Sequence, residues 1–148
     1  MGKRLLSIVL AAVMLLGMCG TTWAAETTGT NAVTQAGNTM GTATQIYFDR
    51  TYNGSITSSN TADWYKITVP SSGRIVLSGT AYMEYLAAEL YNSAGDRIYN
   101  SYMYWNKQTE NINLSGYMTL DLTSGTYYLH FYKYNNRTGN YNFKLSFA

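Results

Sequence analysis

The stretch DWYKITVPSSGRIVLSG, residues 63–79, decides the fold. Its opening alternates: Tyr65, Ile67 and Val69 fall on one side, Trp64, Lys66 and Thr68 on the other. A period of two marks a strand that is buried on one face, as in an antiparallel sheet. Pro70 then fixes φ for a type I turn, and Gly73 stands where φ above zero is expected. Ile75 and Leu77 resume the alternation.

Working outward, the same pattern returns. Leu86, Ala88 and Leu90 alternate in YLAAELYN (85–92), as do Met118, Leu120 and Leu122 in YMTLDLT (117–123). Tyr141, Phe143, Leu145 and Phe147 do so in YNFKLSF (141–147). NSAGD (92–96) and NNRTGN (135–140) carry glycine where hairpin loops with a bulge use it. Strands recurring about every ten residues predict an all-β chain, a sandwich or a barrel.

The chain begins differently. Lys3 and Arg4 precede an apolar run from Leu5 to about Met18, followed by small residues. This is the layout of a secretory signal peptide, and the run is shorter than the roughly 20 residues a membrane span needs. Thr22 and Ala24 suit the −3 and −1 subsites of signal peptidase, which places the cut after Ala24. Lipidation at Cys19 is the less favoured route, because Met18 stands where a lipoprotein needs a small residue. Residues 25–37, mostly Thr, Gly, Ala and Asn, read as a flexible leader. Residues 38–148 form the one folded domain.

Removing Lys3 and Arg4 leaves eight basic against eight acidic residues. That balance lacks the electrostatic footprint of a nucleic-acid binder. Losing Cys19 leaves no cysteine, so the secreted domain is held by its core without disulfides.

Taken in order, NTMGTATQI (38–46), NGSI (53–56), ADWYKITVPSSGRIVLSG (62–79), AAELYNSAGDRI (87–98) and LTSGTYYLHFYKYNNRTGNYNFKLS (122–146) resemble the bacterial pre-peptidase C-terminal domain. The resemblance spans Asn38 to Phe147. It implies a single antiparallel, jelly-roll-like β-sandwich of about eight to nine strands. It also implies a secreted bacterial protein without catalysis of its own. Some such domains bind polysaccharide or a fibrous protein such as collagen. Calcium-binding relatives carry acids near the start of the domain; here Ala36, Gly37 and Thr61 stand in those places. Asn38, Asn60 and Asp63 remain, a set that implies weak calcium binding at most, since calcium wants six to eight oxygens.

Catalysis finds little to work with. The secreted chain has one histidine, His130, and the alternation of YYLHFYKY places it outward and exposed. Zinc needs three or four ligands of the His, Cys or acid kind. The acids are scattered, with Glu84 and Glu89 the pair lying about one strand apart. The protein is therefore read as no enzyme and as needing no cofactor.

Tyrosine is what the chain has in excess, fifteen residues in all. Tyr127, Leu129 and Phe131 share the core side of one strand, which leaves Tyr128, His130, Tyr132 and Tyr134 outward. In YNSYMYW (99–105), either Tyr99, Met103 and Trp105 or Tyr102 and Tyr104 face out. Outward rings pair across strands, and they also make flat platforms for sugars or proline-rich chains. The expected ligand site is Tyr128, His130, Tyr132 and Tyr134, widened by Tyr104 or Trp105. The expected function is binding of an extracellular polysaccharide or protein polymer. The alternative is an accessory protein that assembles with another secreted or cell-surface protein.

Overall fold

A computed structural model describes residues 31–32 and 36–148. The signal peptide expected at 1–24 lies outside these residues. Among them run eleven strands. They are β1 (Asn31–Ala32), β2 (Thr44–Ile46), β3 (Thr51–Ile56), β4 (Ala62–Val69), β5 (Gly73–Tyr82) and β6 (Tyr85–Asn92). β7 (Arg97–Tyr104), β8 (Ile112–Asn113), β9 (Thr119–Leu122), β10 (Gly125–Tyr132) and β11 (Gly139–Phe147) complete the set. The only helical element among the described residues is a 3₁₀ turn at Met40–Thr42. No described helix is long and apolar enough to cross a membrane.

The strands divide between two sheets. One runs β1-β3-β11-β5-β8, with β9 also paired to β5; the other runs β2-β4-β10-β6-β7. Strip away the short β1, β2 and β8, and eight strands remain. Their orders are β3-β11-β5-β9 and β4-β10-β6-β7, so the chain passes back and forth between the sheets. This is the double Greek key of a jelly roll, and the eight main strands match the number expected.

The crossing explains two departures from the sequence reading. NNRTGN closes no hairpin; it carries the chain from β10 in one sheet to β11 in the other. Gly73 does not have φ above zero. Its role is room, because a Cβ there would lie 2.6 Å from Cζ of Phe147. NSAGD is a true hairpin between β6 and β7, with Gly95 at φ 87° and a bulge between Leu90 and Tyr91.

The core follows the alternation. Tyr65, Ile67, Val69, Ile75, Leu77, Leu129, Phe131, Phe143 and Leu145 are buried. The rings interlock: Tyr65 and Phe143 lie 4.9 Å apart, Phe131 and Tyr141 4.9 Å, and Phe131 and Phe143 5.1 Å. Such pairs add roughly 0.5–1.5 kcal/mol beyond their burial. One polar chain runs through this apolar layer. The Tyr65 and Tyr141 hydroxyls lie 2.8 Å apart, and Tyr141 donates on to Oδ2 of Asp63. Asp63 Oδ1 accepts from Asn60 Nδ2 at 2.7 Å.

The fold starts before Asn38. Asn31–Ala32 pair in parallel with Tyr52–Asn53, Ala36 is buried, and the Trp64 N–H donates to the Gly37 carbonyl at 2.8 Å. These parts of the expected leader are strand and core, because β3 and β4 offer backbone groups at the sheet margins that they satisfy.

Candidate functional site

The outer face of the β2-β4-β10-β6-β7 sheet carries most of the outward rings, and its register sets them in rows. Trp64 on β4 faces His130 on β10, which faces Glu89 on β6, which faces Asn100 on β7. One step along, Tyr132 faces Ala87, and Ala87 faces Tyr102. At the end, Tyr85 faces Tyr104.

In the first row His130 is not exposed as its parity suggested. Its ring stacks on Trp64 at 4.1 Å and on Tyr132 at 4.9 Å, and its side chain is 14% accessible. Both neighbours are large enough to roof it. His130 Nδ1 lies 3.0 Å from Oε2 of Glu89. Glu89 also accepts from the Tyr91 hydroxyl and from Arg97, each at 2.7 Å. Burial pushes the Glu89 carboxyl up, but the hydrogen bonds from Tyr91, His130 and Arg97 outweigh it and hold it below its ordinary range. Burial holds His130 below its usual value despite Glu89. At neutral pH an ionised Glu89, which can only accept, therefore faces a neutral imidazole whose Nδ1–H donates. This arrangement buries Glu89 and Ala87, so β6 is covered on both faces, where sequence promised only one.

The second group is different in kind. Tyr85, Tyr102, Tyr104 and Tyr134 form a quartet: Tyr85 lies 6.0 Å from Tyr102, 5.1 Å from Tyr104 and 5.4 Å from Tyr134. Tyr85 is buried beneath the others, and burial with three neighbouring phenols pushes its hydroxyl up to about 12. The upper three are open, at 41% for Tyr102, 63% for Tyr104 and 75% for Tyr134. Met103 is buried and Tyr99 half-buried, so Tyr102 and Tyr104 are the outward parity of β7.

Tyr104 stands between two clefts. One, of about 480 Å³, is lined by Tyr85, Tyr102, Tyr134 and Asn135; the other, of about 720 Å³, by Tyr82, Trp105, Lys107 and Arg137. Glu84 lines both and pairs with Arg137 at 2.9 Å. The expected site residues are thus split. Tyr134 and Tyr104 meet in the quartet, Trp105 belongs to the neighbouring cleft, and His130 and Tyr132 pack into the half-buried stack. Tyr128 faces Tyr91 and Lys66, away from the quartet. Tyr85 and Tyr91 were missed, although YLAAELYN places both outward by the same alternation that buries Leu86 and Leu90.

The other candidates have structural partners. His130 hydrogen-bonds only Glu89 among the described residues, at the oxygen that also accepts from the Tyr91 hydroxyl. Glu84 and Glu89 serve different ion pairs. Asn38, Asn60 and Asp63 line one cleft together, but both Asp63 oxygens already accept hydrogen bonds from Asn60 and Tyr141. Burial raises Asp63 above its ordinary value, against the hydrogen bonds that lower it.

No family model matches the sequence, and no curated protein does. A solved structure does match. The pre-peptidase C-terminal domain of a collagenase from Bacillus anthracis superposes with a TM-score of 0.56, covering 82% of this chain and 100% of that one at 21% identity. The chain has the fold of a pre-peptidase C-terminal domain. On the pre-peptidase C-terminal fold as this chain builds it, the tyrosine quartet caps one end of the β4-β10-β6-β7 face, and the Trp64–His130–Tyr132 stack occupies the middle.

Proposed function

We propose that the protein is a secreted, non-catalytic binding module that holds an extracellular polymer, polysaccharide or fibrous protein, on the Tyr102–Tyr104–Tyr134 patch. The observation that carries this reading is the exposure of three large rings on a buried fourth. Rings that only strengthen a sheet lie down over their neighbours, as Tyr132 does on His130. These three stand open around two clefts, and rigid aromatic rings concentrate binding energy at little entropic cost. The fold likeness to a collagenase domain supports an extracellular setting. Retention on insoluble cellulose, chitin and fibrillar collagen tests the reading. Binding to at least one is expected, and failure on all three would overturn it.

A second reading, assembly with another secreted or surface protein, is favoured by β7. It is the outermost strand of its sheet, eight residues long and without proline, with Ile98 exposed. Such an edge is a template for a further strand. Sedimentation of the protein alone and with the proteins that co-purify with it separates this from polymer binding.

A further inference from the structure

The opposite sheet carries a second patch that the tyrosines do not explain. Asn53 on β3 faces Asn142 on β11, and Asn140 on β11 faces Tyr82 on β5. These side chains line a cleft of about 860 Å³. Asn53, Asn140 and Asn142 make no side-chain hydrogen bond to any described residue, while the Asn60 amide nearby makes two. No buried side-chain nitrogen or oxygen among the described residues lacks a partner, so the three amides are open to the cleft. Tyr82, 57% exposed, stands on its rim and also lines the cleft beside Trp105.

The geometry points to a subsite for an uncharged glycan at Asn53, Asn140 and Asn142, with Tyr82 as its aromatic wall. Three features choose the ligand. Each amide offers donors and an acceptor on one flat group, which matches neighbouring hydroxyls that also do both. No basic side chain lines the cleft, and its one acid, Asp63, is buried with both oxygens engaged, so a charged ligand finds no open counter-charge. The floor strand β11 is paired on both sides, so a peptide cannot bind there by adding a strand. The cleft volume lies within the range of small-ligand sites.

Tyr82 joins this cleft to the one beside Trp105, and Tyr104 joins that one to the quartet. A single chain can follow the end of the sandwich from Tyr134 past Tyr104 and Tyr82 to the amides. The amide subsite stands on its own side chains; only this joining rests on the function proposed above.

The test is a titration of isotope-labelled protein with cellohexaose, mannohexaose and hexa-N-acetylchitohexaose, and separately with a triple-helical Pro-Hyp-Gly peptide, read at the side-chain amide and tyrosine ring resonances. At least one sugar should shift Asn53, Asn140 and Asn142 together. Asn142→Ala should weaken that binding about tenfold, the worth of one or two neutral hydrogen bonds. Asn53→Ala serves as a second variant should Asn142→Ala fold poorly. No shift with any of the sugars overturns the subsite, and so does a shift produced only by a triple-helical Pro-Hyp-Gly peptide. Shifts confined to Tyr102, Tyr104 and Tyr134 also overturn it, while leaving the proposed function standing.

Discussion

Replacing Tyr141 by Phe should cost far more than replacing Tyr65, although both hydroxyls are buried in the same chain. Tyr141 has one proton and gives it to Asp63, so the bond between the two tyrosines must use the Tyr65 proton. Tyr65→Phe removes a donor and leaves Tyr141 still bonded to Asp63. The expected cost is about 0.5–1.5 kcal/mol. Tyr141→Phe strands the Tyr65 hydroxyl without an acceptor and takes a donor from a buried carboxylate. A stranded buried group costs about 1–3 kcal/mol and a bond to a charged group about 1.5–3, so the sum is about 3–5 kcal/mol after relaxation. That is a drop of roughly 10–20 °C in Tm for a domain of this size. Urea unfolding of the two variants beside the wild type measures it. The Asp63 pKa is raised, so its ionisation weakens the fold as pH rises through the folded value. The Tyr141→Phe deficit should therefore shrink as pH falls through that raised folded value toward 3.8, the ordinary Asp value, because the carboxyl is then protonated. Equal costs for the two variants, or a Tyr65→Phe cost above that of Tyr141→Phe, would refute the assigned direction of the chain.

Three further outcomes follow from the same structure. Gly54→Ala places a Cβ 2.2 Å from Cζ of Tyr141, so it should cost about 1–3 kcal/mol and be less than additive with Tyr141→Phe in denaturant unfolding. His130 has a lowered pKa, so its contribution is full above the unfolded value near 6.5 and is lost as pH falls through the folded one. The wild-type Tm should then fall between pH 7 and pH 5, by more than that of His130→Gln; parallel curves would count against the buried neutral imidazole. Melts in calcium and in a chelator should differ by only a few degrees, because a weak site adds little by RT ln(1 + [L]/Kd). A gain of tens of degrees would show that Asn38, Asn60 and backbone carbonyls make a tight site after all.

The strands were legible because burial on one face writes itself as alternation. DWYKITV and YNFKLSF present in the structure the faces their spacing predicts. What alternation cannot carry is which sheet a strand joins. NNRTGN reads as a hairpin loop from its residues alone, since a sheet-crossing turn uses the same glycine and asparagine. Nor does parity separate outward from exposed. His130, Tyr132 and Tyr134 share a parity, yet Trp64 roofs the first and the second lies against it, and of the three only Tyr134 is mostly exposed. Trp64 comes from a strand more than sixty residues earlier, so no local pattern announces the contact. Tyr85 escaped notice for the opposite reason. Its outward position was readable, but its place under Tyr102, Tyr104 and Tyr134 depends on the β6–β7 register.

The central claim is that the open rings bind and the stacked rings build. Tyr104→Ala with Tyr134→Ala in one chain, assayed for Tm and for retention on whichever insoluble polymer holds the wild type, tests it most directly. Both side chains are mostly solvated, so Tm should stay within a few degrees, given roughly 0.2–1 kcal/mol for each lost ring pair. Retention should fall at least tenfold, as expected on removing two aromatic anchors. A folded double variant that is retained as strongly as the wild type would contradict the account.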